Sequence, residues 1–335
     1  LTIGVSEQTS ETVPPSTLSV TVSVLTYRRP ELLVTALRSI EDRIDSDRRS
    51  DRSWHLKELL VVDNDDRPSA HPAVEQLADN NFALPLRYVH EPAPGLSAAR
   101  NRALDEATTD ILVFMDDDET AGPQWPDGLI EMMMRTDANL VGGPVRTVFS
   151  HQPPTWAATG LFDRAEPMDG ARQHWLRSGN LAIDLTSVNE LGLRFDPRFG
   201  TTGGEDVAFS REAERLGLTL RWCHGAPVTE QVGPERTTIR WVSKRERVST
   251  ANWVRAELLQ QQYQGLGHGL RHRLLIASRG SFRLLQGMAT VLAGLGTLHS
   301  GRAVKGLVVA SRGIGAFQGL ANHTTSTYGN AADKT

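Results

Sequence analysis

The chain predicts an α/β fold, a mixed but mostly parallel sheet flanked by helices, with a helical extension at the C-terminal end. Two observations carry this expectation. From Leu18 onward, apolar runs of strand length alternate with helical stretches, an order that sets strands side by side with helices on both faces. The run Ile111-Leu112-Val113-Phe114-Met115 reads as a buried strand and leads directly into Asp116-Asp117-Asp118-Glu119. Those acids therefore land at a strand's carboxyl end, where open α/β sheets place ligands. With 335 residues, 39% of them hydrophobic, the chain has enough apolar material for the core that such a sheet requires.

In order, Leu18 to Thr26 is the first strand and Pro30 to Ile44 the first helix. Leu56 to Val62 is the second strand and ends in Asp63-Asn64-Asp65-Asp66. Leu86 to His90 is the third, and after Pro92 and Pro94 comes the helix Leu96 to Ala107. The fourth strand delivers the acid cluster. Past Trp125 the pattern changes: a helix to about Arg135, a strand from Asn139 to Phe149, a loop rich in Pro and Trp, a strand from Leu176 to Ile183, the helix Glu205 to Leu216 and a strand from Leu218 to Cys223. This order suits a second half-sheet of mixed direction built against the first. Beyond Thr237 the chain reads as helical.

Composition excludes several classes. A net charge of -4 argues against nucleic acid as the main partner, because phosphate-backbone binders carry a basic excess. Cys223 is the sole cysteine, so the chain forms no internal disulfide and no cysteine-based zinc site, and a reducing compartment is expected. Leu1 to Ser16 is polar and acidic, without the basic and apolar segments of a signal peptide, and reads as a loose arm. Between Leu270 and Leu320 there is no Asp or Glu, while Arg271, Arg273, Arg279, Arg283, Arg302, Lys305 and Arg312 punctuate apolar stretches too short to span a bilayer. That pattern suits helices lying on an anionic membrane surface. A helical appendage packed on the catalytic core or on another subunit is the alternative.

Four groups of residues carry chemistry. Three or four crowded acids repel one another unless a hard divalent ion, Mn2+ or Mg2+, sits among them; a solvated acidic turn is the alternative. Thr26, Tyr27, Arg28, Arg29 and Pro30 end the first strand with a ring able to stack on a base and guanidinium groups for phosphate or ribose. Asp63 and Asp65 end the second, where a carboxylate accepts the imide N–H of a uracil or thymine ring, or a ribose hydroxyl. Gly95 to Asn101 opens a helix whose free N–H groups favour an anion, with Arg100 and Asn101 one turn in.

With these pieces in register the chain resembles a family 2 glycosyltransferase of the GT-A fold. The matching marks are Val22 to Pro30, the Val-Val-Asp of the second strand, Gly95 to Asn101, Asp116 to Asp118, Ser178-Gly179-Asn180 and Gly203-Gly204-Glu205-Asp206, covering about residues 18 to 240 in the expected order. Within the family, the acid cluster followed by Trp125 is most similar to bacterial exopolysaccharide glucosyltransferases of the succinoglycan type. The resemblance implies three parts: an arm over 1–17, a catalytic domain over 18–236 with its nucleotide half to 120 and its acceptor half after it, and a basic helical region over 237–335.

It also implies roles. Asp118 would hold the metal and Asp116 the metal or the ribose, with Asp117 beside them. Gly179, Asn180, Gly203 and Gly204 would border the transferred sugar and the acceptor. Asp206 would be the general base that takes a proton from the acceptor hydroxyl, and Glu205 would orient that acceptor. One carboxylate base opposite a metal-held leaving group implies direct displacement with inversion. Relatives add a metal-ligating histidine after the base helix; here His224, Glu230 or Gln231 stands nearest that place, or a third protein ligand is absent.

Thr237 to Trp241 resembles the QxxRW signature of processive synthases, but Thr237 replaces the glutamine, so one sugar per acceptor is expected. The implied donor is a nucleotide diphosphate sugar, a UDP-sugar foremost, and the implied acceptor a glycan or lipid-linked saccharide at the cytoplasmic face of the membrane. Thr26 to Pro30 contains no glycine, which removes the phosphate loop that a sugar-phosphate nucleotidyltransferase needs. No GxGxxG follows any strand, which removes a dehydrogenase. A non-catalytic, glycan-holding membrane protein remains as a rival, opposed by the intact Asp118 and Asp206.

Overall fold

A computed structural model describes residues 17–46, 52–158, 160–164, 166–261 and 266–323. The arm expected over the first 16 residues lies outside the described residues. Four parallel strands form the first half of the main sheet: β1 (Leu18–Thr26), β2 (Trp54–Asp63), β3 (Leu86–His90) and β4 (Ile111–Asp116). Three more complete it, β6 (Leu140–Gly142), β8 (Asn180–Asp184) and β9 (Leu220–Trp222), in the order β3-β2-β1-β4-β8-β6-β9. Strand β8 runs antiparallel to both neighbours, so the sheet is mixed in its second half. Strands β5 (Glu119–Ala121), β7 (Val145–Phe149) and β10 (Val228–Val232) make a separate sheet in the order β5-β10-β7.

Both faces of the main sheet are buried, and the two-residue period of a strand sorts its side chains between two cores. Val20, Val22, Val24, Val113 and Met115 share one core with helices α1 (Pro30–Ser46) and α4 (Asp127–Thr136). Leu60, Val62, Leu112 and Phe114 share the other with α3 (Leu96–Glu106), α5 (Leu185–Glu190) and α6 (Glu205–Arg215). The remaining helix of this half is α2 (His71–Asp79). Each such side chain contributes roughly 1.5–3 kcal/mol of burial, which makes β4, buried on both faces, a rigid mount for the acids at its end.

The expected single strand from Asn139 to Phe149 is two strands in different sheets. Pro144 has no N–H to continue a ladder, and Gly142-Gly143 turns the chain where Leu176 and Asn180 leave no space for a side chain. Strand β8 begins only at Asn180 because Ser178-Gly179 passes across the acid cluster. The strand expected to reach Cys223 stops at Trp222. Beyond Thr237, α7 (Ile239–Gln261) packs on α6, and α9 (Ser300–Leu320) lies between α7 and α8 (Leu266–Gly296).

Candidate active site

The carboxyl ends of β1, β2 and β4 meet the start of α6. At the end of β4, Asp117 is buried; it accepts the Thr26 hydroxyl at 2.8 Å and Arg29 Nη1 at 3.3 Å, and so ties β4 to β1. Asp118 Oδ2 accepts from Arg29 at 3.1 Å and from Arg236 at 2.9 Å. Glu230 stands opposite Glu119 in the β5–β10 ladder and is held by Arg236 at 3.0 Å and Arg164 at 2.5 Å. Gly179 is explained by this crowd, because a Cβ there would sit 2.8 Å from Asp116 and 2.9 Å from Glu119.

Five carboxylates, Asp116, Asp117, Asp118, Glu119 and Glu230, thus face four guanidinium groups, those of Arg29, Arg100, Arg164 and Arg236. Positive charge falls short. Removal from bulk water, with Asp118 and Glu230 close by, pushes the Asp116 carboxyl up to about 6 even though Arg100 opposes the shift. Its side chain is 39% accessible, so this carboxyl lies ringed by protein yet open to a ligand. Burial likewise pushes Asp117 to about 7 and Glu119 well above the usual carboxylate range. Among the described residues, no three histidine or acidic side chains form a ready metal cage, because Arg29 and Arg236 reach between the acids.

Arg100 joins the two halves. Its guanidinium is buried, pairs with Glu205 at the start of α6 through a short contact, and lies 3.6 Å from Asp116. The ring of Phe195, which stacks on Phe209 at 4.1 Å, supports it from one side. Burial raises the Glu205 carboxyl to about 7 against the pull of Arg100. Asp206, the next residue, is only partly buried and shares its surroundings with Arg177, whose guanidinium burial and the nearby Arg164 lower to about 10. Asp206 of α6 and Glu230 of β10, which pairs with Glu119 across the ladder, both lie near Arg177.

Several residues read from the sequence as ligand contacts have partners within the protein. Asp63 is fully buried; it accepts from Ala70 N–H at 2.7 Å, from the Tyr88 hydroxyl at 2.8 Å and from Asp65 N–H at 3.3 Å, so its oxygens organise the loop after β2. Asp65 pairs with Arg28 at 2.8 Å, and Arg28 lies 5.0 Å from the centre of the Tyr27 ring. Asn101 holds the backbone of Phe195 through both its N–H and its carbonyl, which positions the segment leading to α6. Asn180 is fully buried and joins Trp125, Pro144 and Ala226.

Gly95 is left-handed and faces the Gly200 backbone too closely for any side chain, while Leu96 N–H bonds to Gly200 O, so this helix start docks on protein. Glu205 is paired in the interior, out of an acceptor's reach. His224 pairs with Glu166 at 3.0 Å and not with the acid cluster. Gly203 and Gly204 have φ of +85° and +92°, which glycine adopts freely, and a Cβ on Gly204 would lie 2.9 Å from that of Asn252 in α7.

Sequence reasoning named Arg29 only as a phosphate or ribose contact and left out Arg164 and Arg177. Arg29 stands next to Arg28, and the left-handed turn at Arg28, with φ of 55°, sends the two side chains to different acids. Arg164 and Arg177 flank the irregular Pro and Trp loop, where no period announces which way a side chain points.

The family model for glycosyl transferase family 2 matches residues 21–192. The chain is 35% identical over 272 residues to the succinoglycan biosynthesis protein ExoM of Rhizobium meliloti (strain 1021), covering 80% of this chain and 83% of that protein. Among solved structures it is similar to a mannosyltransferase of Pyrobaculum calidifontis in complex with GDP-Man and Mn2+, at 19% identity and a TM-score of 0.57 over 94% of this chain and 91% of that one. It is also similar to GalNAc-T7 with UDP, GalNAc and Mn2+, at 15% identity and a TM-score of 0.52 over 72% of this chain and 48% of that one. With its sheet order, its acids at the end of β4 and these likenesses together, the chain belongs to glycosyl transferase family 2 and has the GT-A fold.

Proposed function

We propose that the chain is an inverting, metal-dependent transferase that moves one hexose from a nucleotide diphosphate sugar to a hydroxyl of a glycan, carried on a lipid at the cytoplasmic membrane face. The observation that carries this reading is the buried Arg100, which sets Asp116 on one side and the start of α6 on the other. That link supports a site shared by the donor acids and Asp206. The likeness to a succinoglycan biosynthesis protein supports an exopolysaccharide product, and the nucleotide ligands of the two structural neighbours support a nucleotide-sugar donor.

The donor set fits a hard divalent cation. Asp116 and Asp118 offer oxygen ligands only, and the Asp116 side chain is open to a ligand. Mn2+ or Mg2+ held by these two residues would supply Lewis-acid stabilisation of the departing diphosphate. Arg29 and Arg236 lie against Asp118 and add guanidinium donors suited to phosphate oxygens. Tyr27, Arg28 and Asp65, at the ends of β1 and β2, take the base and ribose. Thr26 and Asp117 hold the two strand ends in register.

On the other side, the acceptor oxygen attacks the anomeric carbon as the bond to the diphosphate oxygen breaks. Asp206 receives the acceptor's proton, and a single displacement inverts the centre. Glu205 and Arg100 position Asp206 by fixing the first turn of α6.

Two measurements test the reading. A panel of nucleotide sugars with Mn2+ or Mg2+ should raise the unfolding temperature for one donor above the rest, and no stabilisation by any of them would remove the donor site. Asp206→Asn should keep that stabilisation while transfer falls roughly 100- to 10,000-fold; wild-type turnover in the variant would refute the base.

A further inference from the structure

Away from the site, the outer side of α8 is the largest feature without a role. Helices α8 and α9 run antiparallel through a seam of small residues, in which Gly280, Gly287 and Gly294 meet Gly313, Ala310 and Ala303. Glycines seven apart return to one side of a helix because two turns take about seven residues. A side chain at Gly287 or Gly294 would strike the α9 backbone. Helix α9 turns another side to α7, where Gly315 and Gly319 approach the backbone of Arg247 and Ala251. Helix α8 is therefore an outer layer held along one narrow strip.

Another side of it carries an uncovered apolar stripe. Leu274, Phe282, Leu285, Met288, Leu292 and Leu295 are each more than half exposed, at spacings of three, four and eight that keep them on one side. The stripe is roughly 30 Å long. Exposed Arg271, Arg273, Arg279, Arg283, Arg302 and Lys305 stand on the same two helices, and residues 266–323 contain no acid. His272 and Arg312 use Glu257 and Glu246 of α7; among the described residues the other six Arg and Lys side chains have no carboxylate partner.

We propose that this face of α8 lies in the headgroup layer of an anionic lipid bilayer, with the Leu and Phe stripe among acyl chains and the arginines on lipid phosphates. Charge selects the occupant. A second copy seated on the same face would bring two sets of cations together, whereas an anionic surface neutralises them. No helix among the described residues is long and apolar enough to cross a membrane, so α8 rests in the interface plane.

Binding of this kind requires neither donor nor metal, so its test stands apart from transfer. The full chain should co-sediment with vesicles of equimolar phosphatidylcholine and phosphatidylglycerol, and hardly with phosphatidylcholine alone. Phe282→Ser combined with Leu285→Ser and Leu292→Ser should cut that partitioning at least about tenfold. Arg279→Gln with Arg283→Gln should cut it roughly 30-fold, at about fivefold per charge, and flatten its salt dependence. All five side chains are solvent-facing, so unfolding temperature and donor binding should hold steady. Equal partitioning onto both vesicle types, or onto neither, would overturn the proposal. So would unchanged partitioning of the triple variant, or a wild-type dimer in sedimentation that the triple variant dissolves.

Discussion

Arg100→Met removes the cation that, among the described residues, Glu205 pairs with, in a place where water cannot replace it, since both side chains are at most 5% exposed. Breaking a buried pair from one side leaves an uncompensated charge and costs about 3–5 kcal/mol. For a chain of this length, that loss lowers the unfolding midpoint by about 4–7 °C. The partner substitution Glu205→Gln removes the orphaned charge. The double variant Arg100→Met, Glu205→Gln should therefore recover a large part of the loss, with a coupling energy of about 1–3 kcal/mol. Urea unfolding of the wild type, both single variants and the double variant, read by linear extrapolation at constant slope, measures each corner of this cycle. Strictly additive losses, or an Arg100→Met loss below about 1 kcal/mol, would show that the pair does not organise the site. Transfer should fall in both single variants, because Asp116 and the first turn of α6 lose their common anchor.

Asp118→Asn should weaken nucleotide-sugar binding in Mn2+ by about 100-fold or more, measured by calorimetry; unchanged affinity would take Asp118 out of the donor site. Gly204→Ala combines a left-handed backbone with a Cβ 2.9 Å from Asn252 and should destabilise by about 2–4 kcal/mol in the same urea assay, with a neutral result contradicting the tight approach of α7. The pH dependence has a definite sign. Asp116 sits at about 6, and Asp117 and Glu205 at about 7, each above its unfolded value of about 4, so the folded chain binds more protons in that window and its stability falls as pH rises from about 4 through about 7. The metal-free chain should melt higher at about pH 5.5 than at about pH 8, and Asp117→Asn should narrow the gap; a midpoint that climbs with pH across that range would contradict it.

Local pattern alone determined the order of strands and helices through the first half of the chain, because an apolar run with both faces buried, such as Ile111 to Met115, has no stable place but a sheet interior. It also determined that acids end β4, that Glu205 and Asp206 open a helix, and that the C-terminal region is helical and basic. Only the tertiary structure decided what those groups face. Asp63 and Asp65 end the same strand two residues apart, yet one is locked by Tyr88 and the Ala70 amide while the other meets Arg28. Arg100 read as an anion ligand one turn into a helix, and the packing of Phe195 and Glu205 turned it inward as a structural pair. Arg164 reaches Glu230 from 66 residues away along the chain, and nothing in its neighbours' sequence marks that meeting. The reason is physical. Hydrophobic periodicity is a property of adjacent residues, whereas the choice of ion-pair partner depends on which chain segments the closed core brings within about 3 Å of one another.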